Sequence, residues 1–226
     1  MKPVASSVVL YLLLLLIVGI MFWLQNHFFR EKQYSPDFIE QISRDDPLFF
    51  KMALGKEFSS NNLKKITRWN KKTLTYSVNG SYNKKDLSDI DSILQGLHDL
   101  TKLNFQQIQR GGDFTITFNS KITGKNSIVS ENADHIKGLA LCSLHTFSNN
   151  LKHCDIQIVK DYENEPMRGI LLEELTQAIS GIFWDSTDDS QKDSVFYKYK
   201  QNINDYLEYT ESDKRIIRKM YTFPNP

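Results

Sequence analysis

The chain lacks an excess of charge of either sign. Its 28 lysines and arginines stand against 27 aspartates and glutamates in 226 residues, a formal net charge of +1. No basic footprint of the kind that holds nucleic acid is present. The local basic pairs Lys64-Lys65 and Lys71-Lys72 have no interleaved aromatics and read as solvated faces. Internal repeats and low-complexity stretches are also absent, so no repeat architecture is indicated. Cysteine is scarce: Cys142 and Cys154 are the only two. What is present is an apolar fraction of 40%, enough to supply a core. The length suits one ordinary domain plus a membrane segment.

That segment is the run from Val8 to Leu24, which contains five consecutive leucines and no charge. It falls at the short end of the roughly 17–25 apolar residues that cross a bilayer. A cleaved signal peptide has an apolar region of only about 7–15 residues and a small-residue cleavage site. Gln25-Asn-His-Phe-Phe-Arg30 offers no such site, and Trp23, Phe28 and Phe29 suit a membrane interface. The expectation is an uncleaved signal-anchor, with cleavage as the alternative. Lys2 against Arg30 and Lys32 leaves the orientation open.

Beyond the anchor, Pro36 and Pro47 follow Ser35 and Asp46, as proline in a first helical turn does. Asp46 to Gly55 reads as a short helix closed by glycine, and 59–62 as a turn. Leu48, Phe49, Met52 and Leu54 are too apolar for a free stalk, so these elements are expected to pack on the domain. Leu87, Ile90, Ile93, Leu94, Leu97 and Leu100 recur at helical steps and predict one buried stripe over 86–103. Phe114, Ile116 and Phe118 alternate with threonines, as in a half-buried strand. Thr210 and Asp213 form a capping box for a last helix, with Ile216, Ile217 and Met220 facing the core and Pro224 ending it.

Cys142 and Cys154 stand at equal distances from Ser148. If 147–150 turns the chain, the two face each other on antiparallel strands. A bridge is then feasible, and it persists in an oxidising compartment. Two reduced thiols in a cytosolic domain are the alternative. His145, His153 and Cys154 beside that turn, with His135 upstream, are a metal candidate, although histidines near turns are more often simply exposed. The acidic loop 185–193 could offer oxygens to calcium but lacks the glycine and terminal glutamate of an EF-hand.

The most informative segment runs Arg168-Gly-Ile-Leu-Leu-Glu-Glu-Leu-Thr-Gln-Ala-Ile-Ser-Gly181. Leu171, Leu175, Ala178 and Ile182 predict a buried stripe, with Glu174 bordering it. A carboxylate there is partly desolvated, so it can act as a general base or as a structural ion-pair member. A His-Glu-x-x-His zinc site needs two imidazoles four residues apart, with a glutamate beside the first. On that spacing the ligand positions hold Glu173 and Gln177, and the base position holds Glu174. Upstream lie Trp69 before Leu74-Thr-Tyr76, and Asp113 before Ile116-Thr-Phe118; downstream, Ser212 and Asp213 lead to Tyr221.

That order, spanning 69–224, resembles the catalytic domain of the zincin metallopeptidases, the matrixin-like branch in particular. A closer resemblance is to a family of uncharacterised bacterial zincin-like domains. These carry Phe-x-x-x-Ala-Leu-Gly-x-Glu (here Phe49 to Glu57), the Glu-Glu-Leu-x-Gln helix and the aspartate-to-tyrosine ending. The third zinc ligand and the methionine turn of metzincins are missing, and carboxylate with carboxamide makes a poor zinc pair. The resemblance implies an α+β fold: a zincin-like mixed sheet with an active-type helix and a C-terminal helix, preceded by one transmembrane helix. It also implies that Gly138, Leu139, Ala140, Leu141, Cys142, Ser143 and Leu144 form an edge strand able to take an extended peptide, with 154–159 as its neighbour.

The expected organisation is an anchor at 1–30, a juxtamembrane helical segment at 31–68 and the domain at 69–226. The expected function is a catalytically degenerate binding or scaffold domain, with no metal or cofactor, outside a bacterial cytoplasm. Its partners would be the membrane and a protein or peptide. The alternative is a hydrolase or peptidase with an unusual metal site, or one using Glu174 without metal.

Overall fold

Short polar side chains start the helices, each by accepting an orphan backbone N–H of the first turn. The Ser35 hydroxyl accepts the Phe38 N–H at 3.2 Å and opens α1, Pro36–Asp45. Asp46 accepts the Phe49 N–H at 3.1 Å and opens α2, Pro47–Leu54. Asn83 and Asp86 exchange backbone bonds of 2.9 and 2.7 Å in a full capping box at the head of α3, Lys84–Thr101. Helix α3 therefore begins two residues before the apolar stripe suggests. Two further helices follow, α4 at Arg168–Ser180 and α5 at Glu211–Thr222. Thr210 and Asp213 cap α5 in the same reciprocal way.

These helices come from a computed structural model that describes residues 11, 13–23, 34–54, 66–122, 137–145, 150–161, 166–182, 192–197 and 208–224. Two units separate, 1–33 and 34–226, and α1 and α2 fall in the same unit as the sheet. In the first unit, residues 11 and 13–23 are helical, and their large apolar side chains are exposed. Among the described residues no helix is long and apolar enough to cross a membrane. Val8, Val9, Leu10, Leu12 and Leu24 of the expected span lie outside the described residues, as do Gly55, the 59–62 turn and 146–149.

The second unit is built on five strands: β1 Thr73–Gly80, β2 Asn104–Gln107, β3 Phe114–Asn119, β4 Gly138–Leu144 and β5 Leu151–Val159. Their order is β2-β1-β3-β5-β4. All neighbours are parallel except β4, which runs antiparallel to β5. Strand β2 has no counterpart in the sequence reading. Asn104-Phe-Gln-Gln107 has no period-2 pattern, and it is a strand because Thr73 to Tyr76 offer it a parallel edge. Strand β1 begins at Thr73, leaving Trp69 free to turn inward.

Leu74, Tyr76, Val78, Phe114, Ile116, Phe118, Cys154, Ile156 and Ile158 cover one face of the sheet and are buried. Helices α3 and α4 supply Ile90, Ile93, Leu94, Leu97, Leu171, Leu175, Ala178 and Ile179 to the same core. Helix α4 differs from the single stripe expected of it. Ten of its residues are buried, from Gly169 to Ser180, and its remaining positions are Arg168, Glu173 and Gln177. A helix apolar nearly all round belongs in a core, not on a surface.

Two charge clusters tie helices to their neighbours. Lys160, at the end of β5, donates to the Asp86 carboxylate that caps α3, and both are buried. Removing one member of such a pair would strand the other's charge at a cost of about 3–5 kcal/mol. Asp46 accepts from Arg215 and Lys219 of α5 at 2.5 and 2.7 Å. Burial pushes the Asp46 pKa up, but the hydrogen bonds from Lys219, the Phe49 N–H and Arg215 outweigh it and hold the carboxyl below its ordinary range.

Cys142 and Cys154 are directly opposite across β4 and β5, with Cα atoms 4.0 Å apart, and form a disulfide. The bridge closes a loop with a sequence separation of 12. On the chain-entropy account, a loop of that length stabilises a fold by about 3 kcal/mol. Reduction is expected to lower the unfolding free energy by that amount, read as a shift in the urea midpoint. Mass spectrometry of the protein alkylated without prior reduction should find both thiols blocked.

Candidate functional site

Because α4 is buried, its last carbonyls cannot be left to water. The helix ends at Gly181 in the left-handed conformation, φ 73°, whose N–H bonds Gln177 O at 2.9 Å. A side chain at Gly181 would be strained by that φ and would meet Thr67 O at 2.2 Å from its Cβ. The Trp69 indole donates to Ala178 O at 2.9 Å, and the Tyr221 hydroxyl donates to Ile179 O. Burial raises the Tyr221 pKa well above its ordinary value, so this donor stays protonated. The tryptophan before β1 and the tyrosine of α5 thus meet at one helix end. The sequence marks both residues, but nothing local in it shows that they share a target.

The acidic positions of α4 face different surroundings. Glu174 is buried, while Glu173 and Gln177 are half-buried. Glu174 lies against the first residue of β4: a Cβ built on Gly138 would stand 2.8 Å from Glu174 Cγ, 2.8 Å from its Oε1 and 2.5 Å from Ile170 Cγ2. Glycine is needed here for close approach, not for its backbone angle. The contact puts a carboxylate beneath the strand, and only tertiary packing reveals it.

Strand β4 is an edge, and its register settles which way its backbone points. Lys137 O accepts the Val159 N–H at 2.7 Å, so that pair is hydrogen-bonded. Antiparallel pairs alternate, so Gly138↔Ile158, Ala140↔Ile156 and Cys142↔Cys154 are non-hydrogen-bonded pairs. The Cys154 N–H agrees, since it donates to Asp113 O on the β3 side at 3.1 Å. The N–H and C=O groups of Gly138, Ala140 and Cys142 therefore point away from β5. Among the described residues no strand pairs with β4 on that far side. The side chains of Ala140 and Cys142 pack on the core, whereas Leu141, Ser143 and Leu144 are exposed and Leu139 is half-buried.

The other candidates have structural surroundings or fall outside the described residues. The His153 ring nitrogens lie 3.2 Å from Gly112 O and 3.1 Å from Asp155 Oδ1, and His145 is exposed. Cys154 is spent in the disulfide, and His135 lies outside the described residues. Of the acidic loop, 185–191 lies outside them as well. Among the described residues no three His, Cys, Asp or Glu side chains gather to hold a metal ion. Asp113 accepts from the Thr75 N–H at 2.9 Å and pairs with Lys71, which ties the foot of β3 to β1. Burial works to raise its pKa, but the bonds from Lys71 and Thr75 hold it below the ordinary range.

Residues 41–223 match the model of a family described as a protein of unknown function, DUF2927. The chain belongs to the DUF2927 family. No curated protein matches it. The match begins within α1 and takes in every strand, α4 and α5, so the domain of this DUF2927 chain is the unit just described.

The fit of Glu174 beneath β4 in the DUF2927 domain is open to test. Gly138→Ala overfills that contact and should destabilise the fold by about 1–3 kcal/mol. Chemical denaturation would measure the loss. An unchanged midpoint would show that the strand and helix do not touch there.

Proposed function

We propose that this chain is a membrane-anchored, zincin-like domain without zinc-peptidase chemistry, which captures an extended peptide along β4. The observation that carries the reading is an edge unpaired among the described residues, where three alternate residues, Gly138, Ala140 and Cys142, turn their donors and acceptors away from β5. An extended peptide adds to such an edge through main-chain bonds and needs no metal to do so. A bare edge is otherwise an aggregation hazard, which favours a partner.

The zincin-like build is supported by the relation of α4 to that edge. Glu174 lies beneath β4, and Glu173 and Gln177, one turn apart, belong to the little of α4 that is not buried. Those are the two positions where a zinc peptidase carries imidazoles. Without the metal the main activation of water is missing. The disulfide supports a domain outside the cytoplasm, and the apolar run at 8–24 supports the anchor. A hydrolase reading draws on Glu174 alone, a desolvated carboxylate beside the open edge, as a general base requires.

The experiment is selection of extended peptides from a displayed library on the full chain in detergent, followed by hydrogen exchange. Bound peptides should protect the amides of 138, 140 and 142. Ala140→Pro removes one outward donor and should abolish capture with little change in melting temperature. The apo-protein should melt at the same temperature with and without chelator. Failure to select any peptide, or capture that survives the proline, defeats the edge reading. Stoichiometric tight zinc defeats the degenerate-site reading, and cleavage of selected peptides would favour the hydrolase.

A further inference from the structure

We infer that a groove at the opposite edge of the sheet, between α3 and β2, is a separate site for an organic cation: an alkylammonium or the side chain of a lysine. The groove has a volume of about 390 Å³ and is lined by Tyr76, Asp91, Leu94, Gln95, His98, Asn104 and Phe105. Its size falls in the lower part of the roughly 300–1,000 Å³ typical of small-molecule sites. Asp91, Leu94, Gln95 and His98 recur at steps of three and four along α3, so one helix face forms a wall. Asn104 and Phe105 of β2 form the other. Strands β2 and β4 are the two ends of the sheet order, so this site does not depend on peptide capture at β4.

The chemistry of the lining selects the ligand. The Tyr76 hydroxyl donates to Asp91 Oδ1 at 3.3 Å, which leaves the second carboxylate oxygen available to accept. Burial and the neighbouring Asp91 charge push the Tyr76 pKa up to about 12, so the hydroxyl keeps its proton and goes on donating. His98 Nδ1 lies 2.7 Å from the Leu103 carbonyl, which can only accept. That bond selects the tautomer with its proton on Nδ1, in which Nε2 is an acceptor. Gln95 Nε2 is turned to Asp99 Oδ1 in a long 3.5 Å bond, leaving its carbonyl oxygen uncommitted.

Three acceptors thus line a groove that contains one carboxylate and neither lysine nor arginine. The Asp91 charge disfavours an anion. A ligand rich in N–H donors and positively charged satisfies all three groups. Buried Leu94 and half-buried Phe105 suit the short apolar stem on which such a charge is carried, and an aromatic face attracts a cation in its own right.

Isothermal titration of the full chain in detergent tests this with n-butylammonium chloride, Nα-acetyl-lysine methylamide and n-butanol. Saturable one-site binding is expected for at least one of the two cations and not for the neutral alcohol. Asp91→Asn should weaken it by about two- to fivefold, the scale of a lost exposed ion pair. Glu211→Gln removes a carboxylate that does not line the groove and should leave affinity unchanged. Melting temperature checks that both variants fold. Binding of both cations points to a free amine as ligand, and binding of the lysine derivative alone points to a side chain on a partner protein. Absence of saturable binding by either cation, equal binding of n-butanol, or undiminished affinity in Asp91→Asn would overturn the assignment.

Discussion

The structure depends on satisfying a helix that water cannot reach. Helix α4 carries Leu, Ile and Ala on nearly every side, and burying them is its main source of stability. The same burial leaves carbonyls at the carboxyl end without solvent, so other parts of the chain must supply donors. Gly181 bends the backbone back upon the helix, and Trp69 and Tyr221 each reach one of the next carbonyls. Arg68, beside Trp69, donates to Met220 O and Phe223 O at the end of α5 at 2.8 and 2.9 Å. The approach to β1, the end of α4 and the end of α5 are thereby drawn to one place. This convergence fixes where Glu173, Glu174 and Gln177 stand relative to the sheet.

The alternation of antiparallel pairing then decides two properties of β4 together. A residue in a non-hydrogen-bonded pair stands closer to its opposite number and turns its backbone polar groups outward. Cys142 therefore lies near enough to Cys154 for a bridge and, by the same geometry, turns its own N–H to the side of β4 away from β5. The disulfide fastens the edge strand to the sheet without using the groups that a peptide would bind. Displacing the register by one residue would turn Cys142 to the opposite face of the strand and place the outward donors on Leu139, Leu141 and Ser143 instead.

At the other end of the chain order, α1 and α2 are joined to α5 by charge and by rings. Asp46 both caps α2 and takes Arg215 and Lys219, while Tyr34, Phe38 and Phe49 each pack against Phe223, with centroids 5.5, 5.7 and 5.2 Å away. The Tyr34 hydroxyl donates to Pro224 O at 2.5 Å. The start and the end of the domain are held together, so α1 and α2 act as part of the core rather than as a spacer. Their apolar residues gave the correct hint; the boundary expected at 68 and 69 placed them outside a unit that begins at Tyr34.

The sequence by itself determined whatever short-range chemistry controls. The capping box at Thr210 and Asp213, the proline starts at Pro36 and Pro47, the stripe of α3 and the alternation of β3 are contained within a few consecutive residues. The facing of Cys142 and Cys154 follows from spacing about a turn. Tertiary structure decided the rest. Strand β2 is four polar-rich residues that exist as a strand only beside β1. The burial of α4 on nearly all sides has no periodic signal, because a helix enclosed by partners needs no polar face. The need for glycine at 138 arises from Glu174, 36 residues farther along the chain, and the groove at Asp91 and Phe105 exists only once α3 lies beside β2. Local bonding rules act over three or four residues, whereas a site is made where distant segments meet, and only the packed chain brings them together.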